Sequence, residues 1–140
     1  MANQTSTDKQ RDAVNASLAA AAERLDTLCV EIDNLDAAAQ DLSQQGTTPA
    51  SAYYRKGRYL YLIHPTWQGT RKREYIGSDP DNVAAALASI ERHTRREEIT
   101  AQAKKLRLEL DQLEETAAAL TDSARISGLY YHHQERQRRW

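Results

Sequence analysis

The sequence predicts an α+β protein that is mostly helical: a long antiparallel, coiled-coil-like helical hairpin with a three-stranded antiparallel β-meander inserted between its helices. Three observations lead there. Apolar residues hold a seven-residue repeat in two long segments. A short stretch between those segments, Tyr53 to Gly77, switches to period two. The composition, 6% aromatic with no Phe in 140 residues, takes its apolar content mainly from Ala and Leu, which suits helix packing better than a large sheet-on-sheet core. At this length the chain reads as a single domain spanning 1–140.

The first element is a long helix over 8–45. Leu18, Leu25, Ile32 and Ala39 occupy one seam position, and Val14, Ala21, Leu28, Leu35 and Leu42 the other. Four heptads without Gly or Pro give a helix about 40 Å long at 1.5 Å per residue. Gly46 and Pro49 close it. The meander follows over 52–77. Tyr53 to Arg55 forms a short first strand, Lys56-Gly57 a tight turn and Tyr59 to Ile63 an aromatic second strand. His64 to Thr70 makes a longer turn and Arg71 to Ile76 a basic third strand, ended by Gly77.

Ser78-Asp79-Pro80-Asp81 starts the second long helix, over 79–122, with Ser78 or Asp79 as N-cap and Pro80 in the first helical position. Val83, Leu87 and Ile90 form its first apolar stripe. The run ERHTRREE, 91–98, breaks the phase and reads as a solvated helical face, or as an extension of the cationic surface through Arg92, Arg95 and Arg96. The repeat then resumes as Ile99, Ala103, Leu106, Leu110, Leu113, Ala117 and Leu120. The phase jump marks a change of packing partner. Val83 to Ile90 covers the sheet, while Ile99 to Leu120 packs on the first helix. Periodicity is lost after Leu120, so 123–140 is expected to be a mobile basic tail. His132 and His133 lie in it without a carboxylate or cysteine at ligand spacing, so no metal site is assigned.

Two narrow apolar seams cannot bury themselves completely on one another, so a homodimer through the long helices is expected. The lone Cys29 excludes an internal disulfide and is expected to be a buried thiol. No apolar run reaches the length of a membrane span and no secretory signal opens the chain. The expectation is a cytoplasmic protein without membrane contact.

Function is sought in the insert. It holds five of the seven tyrosines, six Arg/Lys and one acid, Glu74, in a chain of net charge −1. The alternation places Leu60, Leu62 and Ile76 toward the second helix and Tyr59, Tyr61, Arg71, Arg73 and Tyr75 outward. An outward face of Arg and Tyr suits duplex DNA: Arg bonds phosphates or the guanine edge, and Tyr bonds phosphate through its hydroxyl. The candidate DNA-binding residues are Arg55, Lys56, Arg58, Tyr59, Tyr61, Trp67, Arg71, Lys72 and Arg73.

The stretch YYRKGRYLYLIHPTWQGTRKREYIGSDPDNVAAALASIERH resembles the N-terminal arm-type DNA-binding domain of tyrosine integrases, a three-stranded sheet followed by a helix that is related in architecture to the AP2 domain. The similar features are the Lys56-Gly57 turn, the aromatic strand Tyr59 to Ile63, the basic strand Arg71 to Tyr75 ending at Gly77, and the Ala-rich helix Val83 to Ile90. They cover about residues 53–93. The resemblance implies an origin in a mobile element and reading of the major groove by Tyr59, Tyr61, Arg71 and Arg73. No recombinase domain accompanies the module, so strand transfer is not implied.

An enzyme is not predicted. The sequence carries no G-x-S-x-G, Walker loop or H-E-x-x-H, and no pair of acids falls where a pocket is expected. No cofactor is expected. The alternative function is a coiled-coil adaptor or inhibitor whose cationic sheet docks on an acidic partner protein.

Overall fold

A computed structural model describes residues 3–66 and 69–138, with side chains described through Arg125. The elements are α1 (Ser6–Gln45), β1 (Ser51–Arg55), β2 (Tyr59–Ile63), β3 (Arg73–Gly77) and α2 (Pro80–Arg138). The architecture is the one the periodicity predicts: two long helices with a three-stranded antiparallel sheet between them in sequence, in the order β1-β2-β3. The chain divides into two compact units, Met1–Glu31 with Lys105–Trp140, and Ile32–Lys104. Among the described residues no helix is long and apolar enough to cross a membrane.

In the first unit, Thr5 caps α1. Its hydroxyl accepts the Asp8 amide at 3.1 Å, satisfying one of the free donors that open a helix, and its carbonyl accepts the first intrahelical bond from the Lys9 amide at 3.1 Å. Leu28 is fully buried, but the other seam residues are not. Val14 is 56% exposed, Leu18 47% and Leu25 41%. Cys29, expected to be buried, is exposed. It follows the seam residue Leu28 directly, and one residue of helix turns the side chain about 100° away from the seam.

Arg24 bridges to α2 in this unit. Its Nη2 donates to Glu109 Oε2 at 2.6 Å and its Nε to Oε1 at 3.2 Å. This two-point contact holds the Glu109 carboxyl below its ordinary range and raises the Arg24 guanidinium. Because the carboxyl is depressed in the folded state, its contribution is complete above the unfolded carboxylate pKa. It is lost as pH falls through the lower folded value. Acid melts followed by circular dichroism should therefore show a smaller loss of melting temperature in Glu109→Gln than in the wild type. Both side chains are about 40% exposed, so solvent screening keeps the difference small.

The helix α2 does not end where its apolar repeat ends. It continues to Arg138, so as far as Arg138 regular backbone stands where a tail is expected over 123–140. Helix propagation adds one hydrogen bond for each residue fixed and does not require an apolar stripe. The segment after Asp122 lacks proline and has one glycine, Gly128.

In the second unit, α1 ends at Gly46, whose φ of 98° is the left-handed conformation in which glycine carries no steric cost. Its amide donates to Ser43 O at 3.2 Å. The run 91–98 then supplies what the helix end lacks. Arg92 Nε donates to Gly46 O at 2.7 Å, and Arg96 Nη1 lies 3.2 Å from Ser43 Oγ and 3.3 Å from Thr47 Oγ1. Thr48 N donates to Ser89 O at 3.1 Å, and the two hydroxyls meet at 2.6 Å. Arg92 and Arg96 are therefore anchors for the α1–β1 connection, while Glu91, Thr94, Arg95, Glu97 and Glu98 of the run are exposed, as a solvated face is expected to be.

Asp79 is the N-cap of α2: its carboxylate accepts the Asp81 amide at 3.0 Å and its carbonyl the Val83 amide at 2.9 Å. Asp79→Ala should cost about 1 kcal/mol, read as a lower urea midpoint at unchanged m-value. Among the described residues of this unit the buried apolar side chains are Ile32, Leu60, Leu62 and Ala103. Leu62 and Ile76 share a cleft with Asn82, Ala85 and Ala86, so the inner face of the sheet lies against the first turns of α2, as its alternation predicts. The helix presents this small-residue stripe to the sheet, whereas Leu87 is 37% exposed. Residues without long side chains let backbone and sheet approach closely.

Candidate nucleic-acid interface

The sheet is pinned at its first turn. Lys56 and Gly57 have φ of 56° and 66°, the positive pair that defines a type I′ turn, and Arg58 N donates to Arg55 O at 3.2 Å. Strand pairing nevertheless resumes one residue later, with Arg55 opposite Tyr59, Tyr53 opposite Tyr61 and Ser51 opposite Ile63. Between β2 and β3, Tyr61 faces Tyr75 and Ile63 faces Arg73. A register shift lies between Leu60, paired with Gly77, and Tyr61, so Ile76 is the extra residue of a bulge on β3.

This register assigns the faces. Residues directly opposite each other share a side of the sheet. The outer face therefore carries Ser51, Tyr53 and Arg55 from β1, Tyr59, Tyr61 and Ile63 from β2, and Arg73 and Tyr75 from β3. Tyr53, Tyr61 and Tyr75 stand at one level, forming a row across all three strands. The rings of Tyr61 and Tyr75 are 5.1 Å apart, tilted by 57°. Arg55, Lys56, Tyr59, Tyr61 and Tyr75 line an open cleft of about 390 Å³. Arg58 sits over the Tyr59 ring at 5.6 Å, a cation–π contact that holds the guanidinium beside the turn.

The acid of the insert is on the other side. Glu74 is opposite Leu62, and its carboxylate meets His64 Nε2 at 2.8 Å. The outer face is thus free of carboxylates, with Arg55, Lys56 and Arg58 on one side of the tyrosine row along the strands. On the other side are Arg73 and, immediately before β3, Arg71 and Lys72.

Six cations of the insert are exposed, but two are not where alternation put them. Arg71 and Lys72 precede β3, which begins at Arg73. The Lys72 carbonyl accepts the His64 amide at 2.9 Å, closing the base of the loop. Arg71 is therefore a loop cation, not a member of the outer strand face. Trp67 lies outside the described residues, and His132 and His133 lie beyond the described side chains.

Tyr53 and Tyr75 belong to the site and are absent from the candidate set. Tyr75 was legible from alternation in β3. Tyr53 was not, because a strict two-residue turn would pair Arg55 with Arg58 and send Tyr53 to the inner face. When the chain is compared with family models, with characterised proteins and with solved structures, no match is found.

Proposed function

We propose that the protein is a non-enzymatic duplex-DNA-binding factor that uses the outer face of its β-meander, an accessory or regulatory component of a mobile element. The observation that carries this reading is the tyrosine row, free of carboxylates and flanked by cations on both sides along the strand direction. From the Tyr59 level to the Ile63 level the sheet advances about 13 Å at about 3.3 Å per residue. The major groove is about 12 Å wide. Cations at the two ends of β2 would meet phosphates on both walls of the groove, with the tyrosines over the base edges between them. The succession of three antiparallel strands and a capped helix over residues 51–90 is also what the resemblance to integrase arm-type domains calls for.

A face rich in Tyr and Arg also suits a protein interface, where these residues dominate binding energy. An acidic partner protein is therefore the second reading. Titration of a mixed-sequence duplex at two salt concentrations separates the two. For DNA, log affinity should fall linearly with log salt, with a slope of about −0.9 per phosphate neutralised. Absence of binding at tens of micromolar protein near physiological salt would rule out the DNA reading.

A further inference from the structure

The Met1–Glu31 and Lys105–Trp140 unit has an unusual burial pattern. Its two helices carry matched seven-residue repeats, yet among the described side chains of the unit Leu28 is the one completely buried. On one side a mainly apolar groove of about 460 Å³ runs between them, lined by Leu18, Ala21, Ala22 and Leu25 of α1 and by Leu110, Leu113, Glu114 and Ala117 of α2. Leu18 and Leu25 remain 47% and 41% exposed, and Val14 and Leu120 each 56%. These residues are the seam positions of the repeat, not scattered surface leucines. Two helices alone leave such a seam half covered, and the usual completion is a second helical layer.

We propose that this groove is the interface for a second copy of the same chain, the two copies packing groove to groove as a two-fold symmetric four-helix bundle. The repeat is the first reason. Leu18, Ala21 and Leu25 on α1, and Leu110, Leu113 and Ala117 on α2, follow the same spacing of three and four. A second copy therefore presents leucine side chains at the same interval as the small alanine positions that can receive them.

Size is the second reason. Over Ser6 to Leu28 the layer is about 33 Å long and about 20 Å wide for two helices, a footprint of roughly 650 Å². A standard interface buries about 800 Å² per partner, so one further copy matches the face without leaving a large apolar remainder. Isologous pairing also needs no partner surface beyond the one already described. This inference does not depend on the DNA reading.

Sedimentation equilibrium of the full chain over a hundredfold concentration range tests it, the monomer being 15.8 kDa. The expected result is a twofold mass that the double variant Leu18→Glu/Leu25→Glu reduces to the monomer, with at least a tenfold weaker association. Val30→Glu/Leu108→Glu, at exposed positions outside the groove, should leave the dimer intact. A monomeric wild type, an assembly larger than two, or a dimer broken by the second pair and not the first would overturn the proposal. If the groove charges also abolish the helical signal, Leu18→Ala/Leu25→Ala decides. Weakened association supports the interface, and unchanged association overturns it.

Discussion

Changing Arg71, Lys72 and Arg73 together to Ala should lower affinity for a mixed duplex by two to three orders of magnitude at about 0.1 M salt. Each phosphate contact releases a counterion and adds about 0.9 to the salt slope, which corresponds to roughly 0.9 log units at that concentration. The slope itself should become shallower by about 2.7 if all three cations engage phosphate. The variant should fold normally. All three side chains are exposed, and the structural bond in this segment runs from His64 N to the Lys72 carbonyl, which alanine keeps. Changes at exposed positions of this kind usually stay within about 0.5 kcal/mol of wild-type stability. Undiminished binding with an unchanged slope would remove this end of the sheet from the interface.

The second large effect is on stability. Leu60→Ala should cost about 2–5 kcal/mol, the usual range for emptying a fully buried leucine site. Leu60 is completely buried in β2, the central strand, opposite Tyr54 on one side and Gly77 on the other. Few other side chains in this unit are buried, so little else can absorb the cavity. Domains as a whole are stable by about 5–15 kcal/mol, and a sheet of three five-residue strands has little to spare. Amide exchange of β2 and tyrosine fluorescence should report the loss, while far-UV dichroism stays largely helical. Retained β2 protection would mean the inner face of the sheet depends less on Leu60 than its burial implies.

Helix content, the end of α1, the start of α2 and the chemistry of the insert follow from local sequence. Heptads of Ala and Leu define α1 and most of α2, Asp79-Pro80 fixes where α2 begins, and Gly46 ends α1. The Tyr- and Arg-rich meander is equally local, since alternation and turn residues set strands without reference to the rest of the chain. Those signals made Arg55, Lys56, Arg58, Tyr59, Tyr61 and Arg73 identifiable as one candidate surface before any coordinates.

What tertiary structure decided was register and partnership. Arg58 adds one residue to the first loop, and a slip of one position in a strand exchanges its two faces. That slip brings Tyr53 into line with Tyr61 and Tyr75. The start of β3 at Arg73 leaves Arg71 and Lys72 in the loop. Arg92 and Arg96 look in sequence like any exposed basic run, but they bond Gly46 O, Ser43 and Thr47, whose positions depend on how α1 ends against α2. Local propensity specifies which segments are helix, strand or turn. Only packing determines which groups Arg92 and Arg96 meet, because those partners lie 46 to 53 residues away along the chain.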